Sequence, residues 1–260
     1  MSKKLKFVGV FLALICAAVI TFGAFMRDKY SLPIMMYHSV NPRSIPGMNL
    51  LIVKPETFER QMRFLKNHNY NVVKLEDAAN LIREKQRIPL RTVAITFDDG
   101  YKDNYIYAFP ILRKYNLPAT VFIIINEIGR SDRLSWKEIE EMRASGLITF
   151  GSHTLSATPL IDIKSDPEIK RQIVESKRIL EEKLGKHVAS FSYPEGRFTD
   201  KIKQMVIDAG YELAVATSPG RKYSPNDLYL LKRLRISENA ENLFVLWFET
   251  TGFYKYLKEK

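Results

Sequence analysis

An alternation limits what this chain can fold into more than any other feature: apolar runs of four to seven residues, most of them followed by a segment with helical spacing. Residues 34–37 precede a helical pattern at 55–67, residues 71–74 precede 75–84, and residues 92–97 precede 105–115. Further along, 119–125 reads as a strand, and Ser135 as the N-cap of a helix that Gly146 closes before a strand at 147–150. A helix at 166–184 has Ile169, Ile173, Ile179, Leu180 and Leu184 to bury and stops at Gly185. Then come a strand at 189–193, a helix at 200–209 closed by Gly210, and strands at 212–216 and 230–236. About seven strand-then-helix units predict an α/β fold, a distorted (β/α) barrel, because no glycine-rich phosphate loop follows the first strand as an open nucleotide-binding sheet would require. In such barrels the chemistry gathers at the C-terminal ends of the strands.

Composition narrows the functions. With 260 residues, 46% hydrophobic, the chain buries a core and is not disordered. Forty Lys and Arg against 29 Asp and Glu give a net charge of +11, which attracts acidic surfaces without selecting a function. The single Cys16 excludes an internal disulfide, and four histidines with no paired-cysteine motif exclude a structural zinc module. Any metal site must therefore use histidine and carboxylates. No motif points to nucleic acid.

Residues 7–26 carry no charge, the length one helix needs to cross a bilayer. Lys3, Lys4 and Lys6 before them, against Arg27 and Lys29 diluted by Asp28 after them, favour a cytoplasmic N-terminus. Small residues at the two positions that define a cleavage site are hard to place around Phe22, Ala24 and Phe25, and Ala13-Leu14-Ile15 does not suit a lipidated Cys16. Residues 1–29 are thus read as an uncleaved membrane anchor, and 30–260 as one extracytoplasmic domain.

The strand ends supply a short list: Tyr37-His38, Asp98-Asp99-Gly100, Ser152-His153, Tyr193-Pro194-Glu195-Gly196 and Arg233 to Arg235. In Thr96-Phe97-Asp98-Asp99-Gly100-Tyr101 two carboxylates leave an apolar strand into a glycine turn. One is placed to bind a metal and the other to take a proton from water, although Asp-Asp-Gly is also ordinary turn chemistry. A lone histidine opening the polar loop 151–160 is more often a hydrogen-bonded structural residue than a ligand.

Taken together, these segments resemble the polysaccharide deacetylase family, also called carbohydrate esterase family 4 or the NodB homology domain, over about residues 34–236. Met36-Tyr37-His38-Ser39 resembles the opening strand of the branch that includes biofilm poly-N-acetylglucosamine deacetylases. The resemblance implies a metal-dependent hydrolase, with zinc the expected ion, that removes N-acetyl groups from the sugars of a polysaccharide or cell-wall glycan. It implies Asp98 as general base, Asp99 and His153 as metal ligands, and Arg233 or Arg235 as the partner that keeps Asp98 ionised. It further implies His38 as the acid for the leaving amine, and the third-motif segment supplies Tyr193, Pro194 and Gly196 as candidate substrate-binding residues; an aromatic face suits a hexose ring, so the Tyr193 ring is read as a sugar wall, although an aromatic near a strand end is more often core. His68 and His187 look like surface residues.

Two departures matter. The family's second motif ends in a histidine four residues after the first, and here that position is Ala157. Ser192 and Glu195 also stand where the third motif usually carries arginine and an aromatic residue. Glu195 is therefore considered as a substitute metal ligand, with a surface carboxylate paired to Arg197 as the competing reading. Ala157 also raises an alternative function, a weak or inactive deacetylase-like protein that binds glycan or a partner at the membrane.

Overall fold

The computed structural model describes residues 17, 21, 31–43, 50–84, 86, 88–217, 224, 227–237, 241–252 and 254. Among these no helix is long and apolar enough to cross a membrane. The expected span, 7–26, lies outside the described residues apart from Ala17 and Thr21.

The strands are β1 (Ile34–Tyr37), β2 (Ser39–Val40), β3 (Ile52–Val53), β4 (Asn71–Val73), β5 (Thr92–Phe97), β6 (Ala119–Ile123), β7 (Ile148–Ser152), β8 (Ser190–Ser192), β9 (Leu213–Ala216), β10 (Leu231–Lys232) and β11 (Leu234–Arg235). The helices are α1 (Pro55–Asn67), α2 (Leu75–Arg83), α3 (Phe109–Tyr115), α4 (Trp136–Ala144), α5 (Asp166–Leu184), α6 (Asp200–Asp208) and α7 (Leu243–Glu249). The main sheet runs β10-β9-β8-β7-β6-β5-β1-β11, with β4 on the first half of β5, and every pair is parallel. Parallel strands need crossovers, and the helices supply them, so strands such as β5 are buried along their whole length.

Closure comes from residues expected to form one strand, 230–236. They change partner at Arg233: β10 pairs with β9, while β11 pairs with β1 at the other end of the sheet. The Arg233 N–H donates to Ala216 O at 3.1 Å, and the Ile236 N–H to Met36 O at 2.9 Å. The (β/α) barrel is therefore nearly closed, with a break in its last strand. A second small sheet, β2 with β3, was not expected. The helical pattern at 105–115 also begins differently: Asn104–Ala108 forms a wide π-turn before α3, where Pro110 has no N–H to give.

Side-chain alternation decides what faces inward. Ile34, Ala94, Phe122, Leu213, Val215 and Leu231 share one cluster with Leu75, Ala78 and Ala79 of α2, which lies against the inside of the ring. Met35, Ile95, Val121 and Ala214, one residue along, join the larger cluster under the outer helices. Because strand side chains repeat every two residues, positions 94-96-98, 149-151-153, 190-192 and 231-233 share the inner face. Asp98, His153, Ser192 and Arg233 are thereby aimed at one point. Gly151 makes that possible in β7, since a Cβ there would lie 2.5 Å from Ser190 Oγ and from the Phe122 ring.

Candidate active site

Asp98 leaves β5 at the inner rim and meets the buried Arg233 guanidinium edge-on, with Nη1 donating to Oδ1 at 2.6 Å and Nη2 to Oδ2 at 2.7 Å. This bidentate fork is the strongest geometry available to such a pair. Nη2 also donates to Ser192 Oγ at 3.0 Å, and the guanidinium lies 5.6 Å from the centre of the Phe122 ring. Burial alone would raise the Asp98 pKa, but the Arg233 charge, followed by His153, outweighs it and holds the carboxyl well below the usual range. Asp98 is ionised at neutral pH.

Asp99 adopts a left-handed backbone, φ 68°, followed by Gly100 at φ 64°. Such a conformation is strained for a residue with a Cβ, and here it turns the second carboxylate away from the first. A side chain at Gly100 would come within 2.8 Å of Ile123 Cδ1. Asp99 Oδ1 instead lies 3.4 Å from His153 Nε2. The other ring nitrogen, Nδ1, is 2.8 Å from Ser192 O, and a carbonyl only accepts, so Nδ1 carries the proton. In the neutral ring the Nε2 lone pair therefore faces Asp99, the tautomer that a metal ligand requires. Burial lowers the His153 pKa, yet Asp98 and Asp99 more than compensate and raise it. Asp99 is lowered, because His153 outweighs the cost of burying its charge.

Two donors thus converge, one carboxylate and one imidazole, a pairing suited to a divalent cation. A third is absent among the described residues, where no group of three or more His, Cys, Asp or Glu is placed to hold an ion. Ala157, at the position of the family's second histidine, is exposed in a bend. Glu195 is 61% exposed, and Arg197 Nη1 donates to its Oε2 at 3.2 Å while the same guanidinium also grips Asp162. The structure therefore does not bring Glu195 to Asp99 and His153. The residues present do not make a complete metal site.

His38 follows β1 on the same rim. Its Nδ1 is buried with no hydrogen-bond partner among the described residues, and burial lowers its pKa despite the opposing pull of Asp98 and Asp99. Its backbone is held by residues the sequence reading missed. Asn104 Nδ2 donates to His38 O at 2.8 Å, while Asp103 accepts from Ser39 Oγ at 2.5 Å and from the Val40 N–H at 3.1 Å. One loop, 98–104, therefore carries both carboxylates and clamps the segment that carries His38. The sequence offered only the polar Asp103-Asn104 pair, separated by two residues from the Asp-Asp-Gly turn, which ordinary turn chemistry explains equally well. Ser192 was likewise noted only as a departure, yet its hydroxyl lies within 3.5 Å of both Asp98 oxygens and its carbonyl orients His153.

Other expected residues stand elsewhere. Tyr193 is fully buried on the outer face between Phe191 and Phe198, so its ring is not open to a sugar. Pro194 is buried in the following turn, and Gly196 takes φ 68° where a Cβ would strike Thr217 N at 2.5 Å. Arg235 is exposed on β11 and does not replace Arg233 as the partner of Asp98. The aromatic beside the carboxylates is Tyr101, whose ring carries Arg133 at 4.0 Å and whose hydroxyl is pushed up to about 12 by burial and then by Asp99. His68 and His187 are at the surface, His187 paired with Glu181 and Glu212.

Residues 85–214 match the polysaccharide deacetylase family. The YxkH protein of Bacillus subtilis is 32% identical over 206 residues, covering 79% of this chain and 71% of that protein. The poly-beta-1,6-N-acetyl-D-glucosamine N-deacetylase of Staphylococcus aureus is 29% identical over 216 residues, covering 78% and 73%. Among solved structures, the Streptococcus pyogenes deacetylase PplD in complex with acetate superposes with a TM-score of 0.75 at 30% identity, covering 85% of this chain and 98% of that one.

Proposed function

We propose, since the chain belongs to the polysaccharide deacetylase family, that it hydrolyses N-acetyl amides on the sugars of an N-acetylated glycan. The S. aureus relative's printed substrate, poly-beta-1,6-N-acetyl-D-glucosamine, is the class of polymer we favour. The observation that carries this reading is the convergence of Asp98, Asp99, His153 and Arg233 at the strand ends of the barrel. Asp98, kept ionised by Arg233, orients a water and accepts its proton as the oxygen adds to the acetyl carbon. The pairing with Arg233 also weakens Asp98 as a base, so the proton passes on rather than resting there. His38 is neutral at rest, and by taking that proton it becomes the acid that delivers it to the leaving nitrogen. The C–N bond breaks, acetate leaves, and the sugar keeps a free amine.

Asp99 and His153 would be the two donors offered to a divalent ion, zinc by the family resemblance, which would polarise the acetyl carbonyl, and no step above runs through it. The chemistry takes place outside the cell membrane, with residues 7–26 as the anchor, the N-terminus cytoplasmic, and 30–260 the working domain. The two-donor set favours one further reading, a weak or inactive member that binds glycan. Acetate release from an N-acetylglucosamine oligomer by the full chain separates them. Hydrolysis that Asp98→Asn abolishes supports the enzyme, whereas no acetate from either protein, with oligomer still bound, supports the binder.

A further inference from the structure

Eight large hydrophobic side chains stand exposed among the described residues, and four of them, Phe244, Val245, Trp247 and Phe248, belong to the single short helix α7. Phe244 is 68% exposed and Trp247 45%. The helix is docked rather than frayed: Leu246 is fully buried, Leu243 packs on the main core, and Asn242 Oδ1 caps it by accepting from the Phe244 N–H at 2.9 Å. Phe244 and Trp247, one turn apart, place their ring centres 5.4 Å from each other on the outer side. An apolar, aromatic face this concentrated calls for a cover.

The course of the chain says what the cover is. The Ser31 N–H donates to Gly252 O at 3.0 Å, which fixes the start of the domain to the turn just after α7. Ser31 follows the uncharged run 7–26 by only five residues. At about 3.3–3.6 Å per residue, the five steps from Met26 to Ser31 reach at most about 18 Å, so the end of that run lies within this distance of the turn after α7. Arg27 and Lys29 occupy the connection, and the sequence beyond α7 continues with Tyr254, Lys255, Tyr256, Lys258 and Lys260. Aromatic rings beside lysines are the composition of a bilayer interface, where the rings sit at headgroup level and the cations meet lipid phosphate.

We propose that α7 is an interfacial foot, with Phe244, Trp247 and Phe248 seated in the headgroup region of an anionic phospholipid bilayer next to the 7–26 segment. This rests on the anchor reading of residues 7–26 and adds a second membrane contact, which sets the orientation of the barrel.

The test uses the full chain in vesicles of equal parts phosphatidylglycerol and phosphatidylcholine, the latter brominated near the headgroup end of its acyl chains. The chain has two tryptophans, so Trp136→Phe leaves Trp247 as the sole reporter and Trp247→Phe leaves Trp136 as the control. Should Trp136→Phe not fold, the Trp247 signal is the wild-type emission less that of Trp247→Phe. Trp247 emission is expected to fall at least about twofold against unbrominated vesicles, since interfacial helices bury their apolar face about 5–10 Å deep, while Trp136 stays unchanged. Trp247 unquenched by lipid overturns the foot, whether aqueous iodide reaches it (a face in water) or does not (a face covered by protein). Flotation with the vesicles reads the anchor separately, and a chain that does not float overturns both.

Discussion

The two halves of the site are built from adjacent residues and behave as opposites. Asp98 and Arg233 form a closed pair, with both side chains buried, two short hydrogen bonds and a serine hydroxyl on the flank. Asp99, one residue along on the same loop, meets His153 at the end of β7 through a single long contact of 3.4 Å. The first half is a tight two-point pair, and the second is one long contact between two groups that are both metal-ligand types. A buried charge pair with ideal geometry holds a shape, whereas a loosely paired carboxylate and imidazole can exchange each other for a ligand. The contrast assigns orientation to Asp98–Arg233 and ligand capture to Asp99–His153.

The contrast breaks most visibly at Arg233. Arg233→Ala strands Asp98 as an unpaired buried charge and should cost about 3–5 kcal/mol in urea unfolding. Asp99→Ala removes a single 3.4 Å contact and leaves the left-handed backbone as it was, so stability should stay within about 1 kcal/mol. Equal losses for the two would erase the distinction. Acid titration of the folded chain sharpens it further. The Asp98 carboxyl is depressed in the folded state, so its contribution to stability is complete above the ordinary carboxylate range near about 4 and is lost as pH falls through the folded-state value well below that. Arg233→Ala should lose that acid-range component, as read from stability measured between mildly and strongly acid solution.

Smaller effects map the supports. Gly151→Ala should cost about 1–3 kcal/mol, since its methyl meets Ser190 Oγ and the Phe122 ring. Ser192→Ala removes a hydroxyl from the Asp98–Arg233 pair but keeps the carbonyl on His153, and about 0.5–1.5 kcal/mol is expected. Arg235→Ala, at the surface of the closing strand, should stay within about 0.5 kcal/mol and leave acetate release unchanged. A loss at Arg235 as large as that at Arg233 would mean that the closing strand changes partner elsewhere.

Much of this was legible in the sequence because two simple periodicities carry it. The strand-helix alternation exposes the barrel, and the strand-end rule gathers Asp98, Asp99 and His153 and narrows the arginine to Arg233 or Arg235. Period-two alternation, applied strictly, would also have set Ser192 inside and Tyr193 outside; an aromatic beside a proline turn drew attention to the wrong face. The break at Arg233 was not legible, since 230–236 reads as one continuous strand and only the pairing with both β9 and β1 shows where it changes partner. Glu195 depends on backbone conformation: at φ 55° the turn directs its carboxylate to Arg197 rather than to the two donors. Asp103 and Asn104 looked like ordinary turn residues, and only their long-range bonds to the His38 segment separate them from that class.

Asp99 and His153 form a two-donor half of a site, incomplete among the described residues. The most direct measurement is the zinc retained per full chain after loading and dialysis against metal-free buffer, beside Ala157→His. Little zinc on the natural chain, and about one per chain once a histidine supplies a third donor, is the predicted result. About one tightly held zinc on the natural chain, lost in Asp99→Ala, would contradict it and require a third donor beyond the described residues.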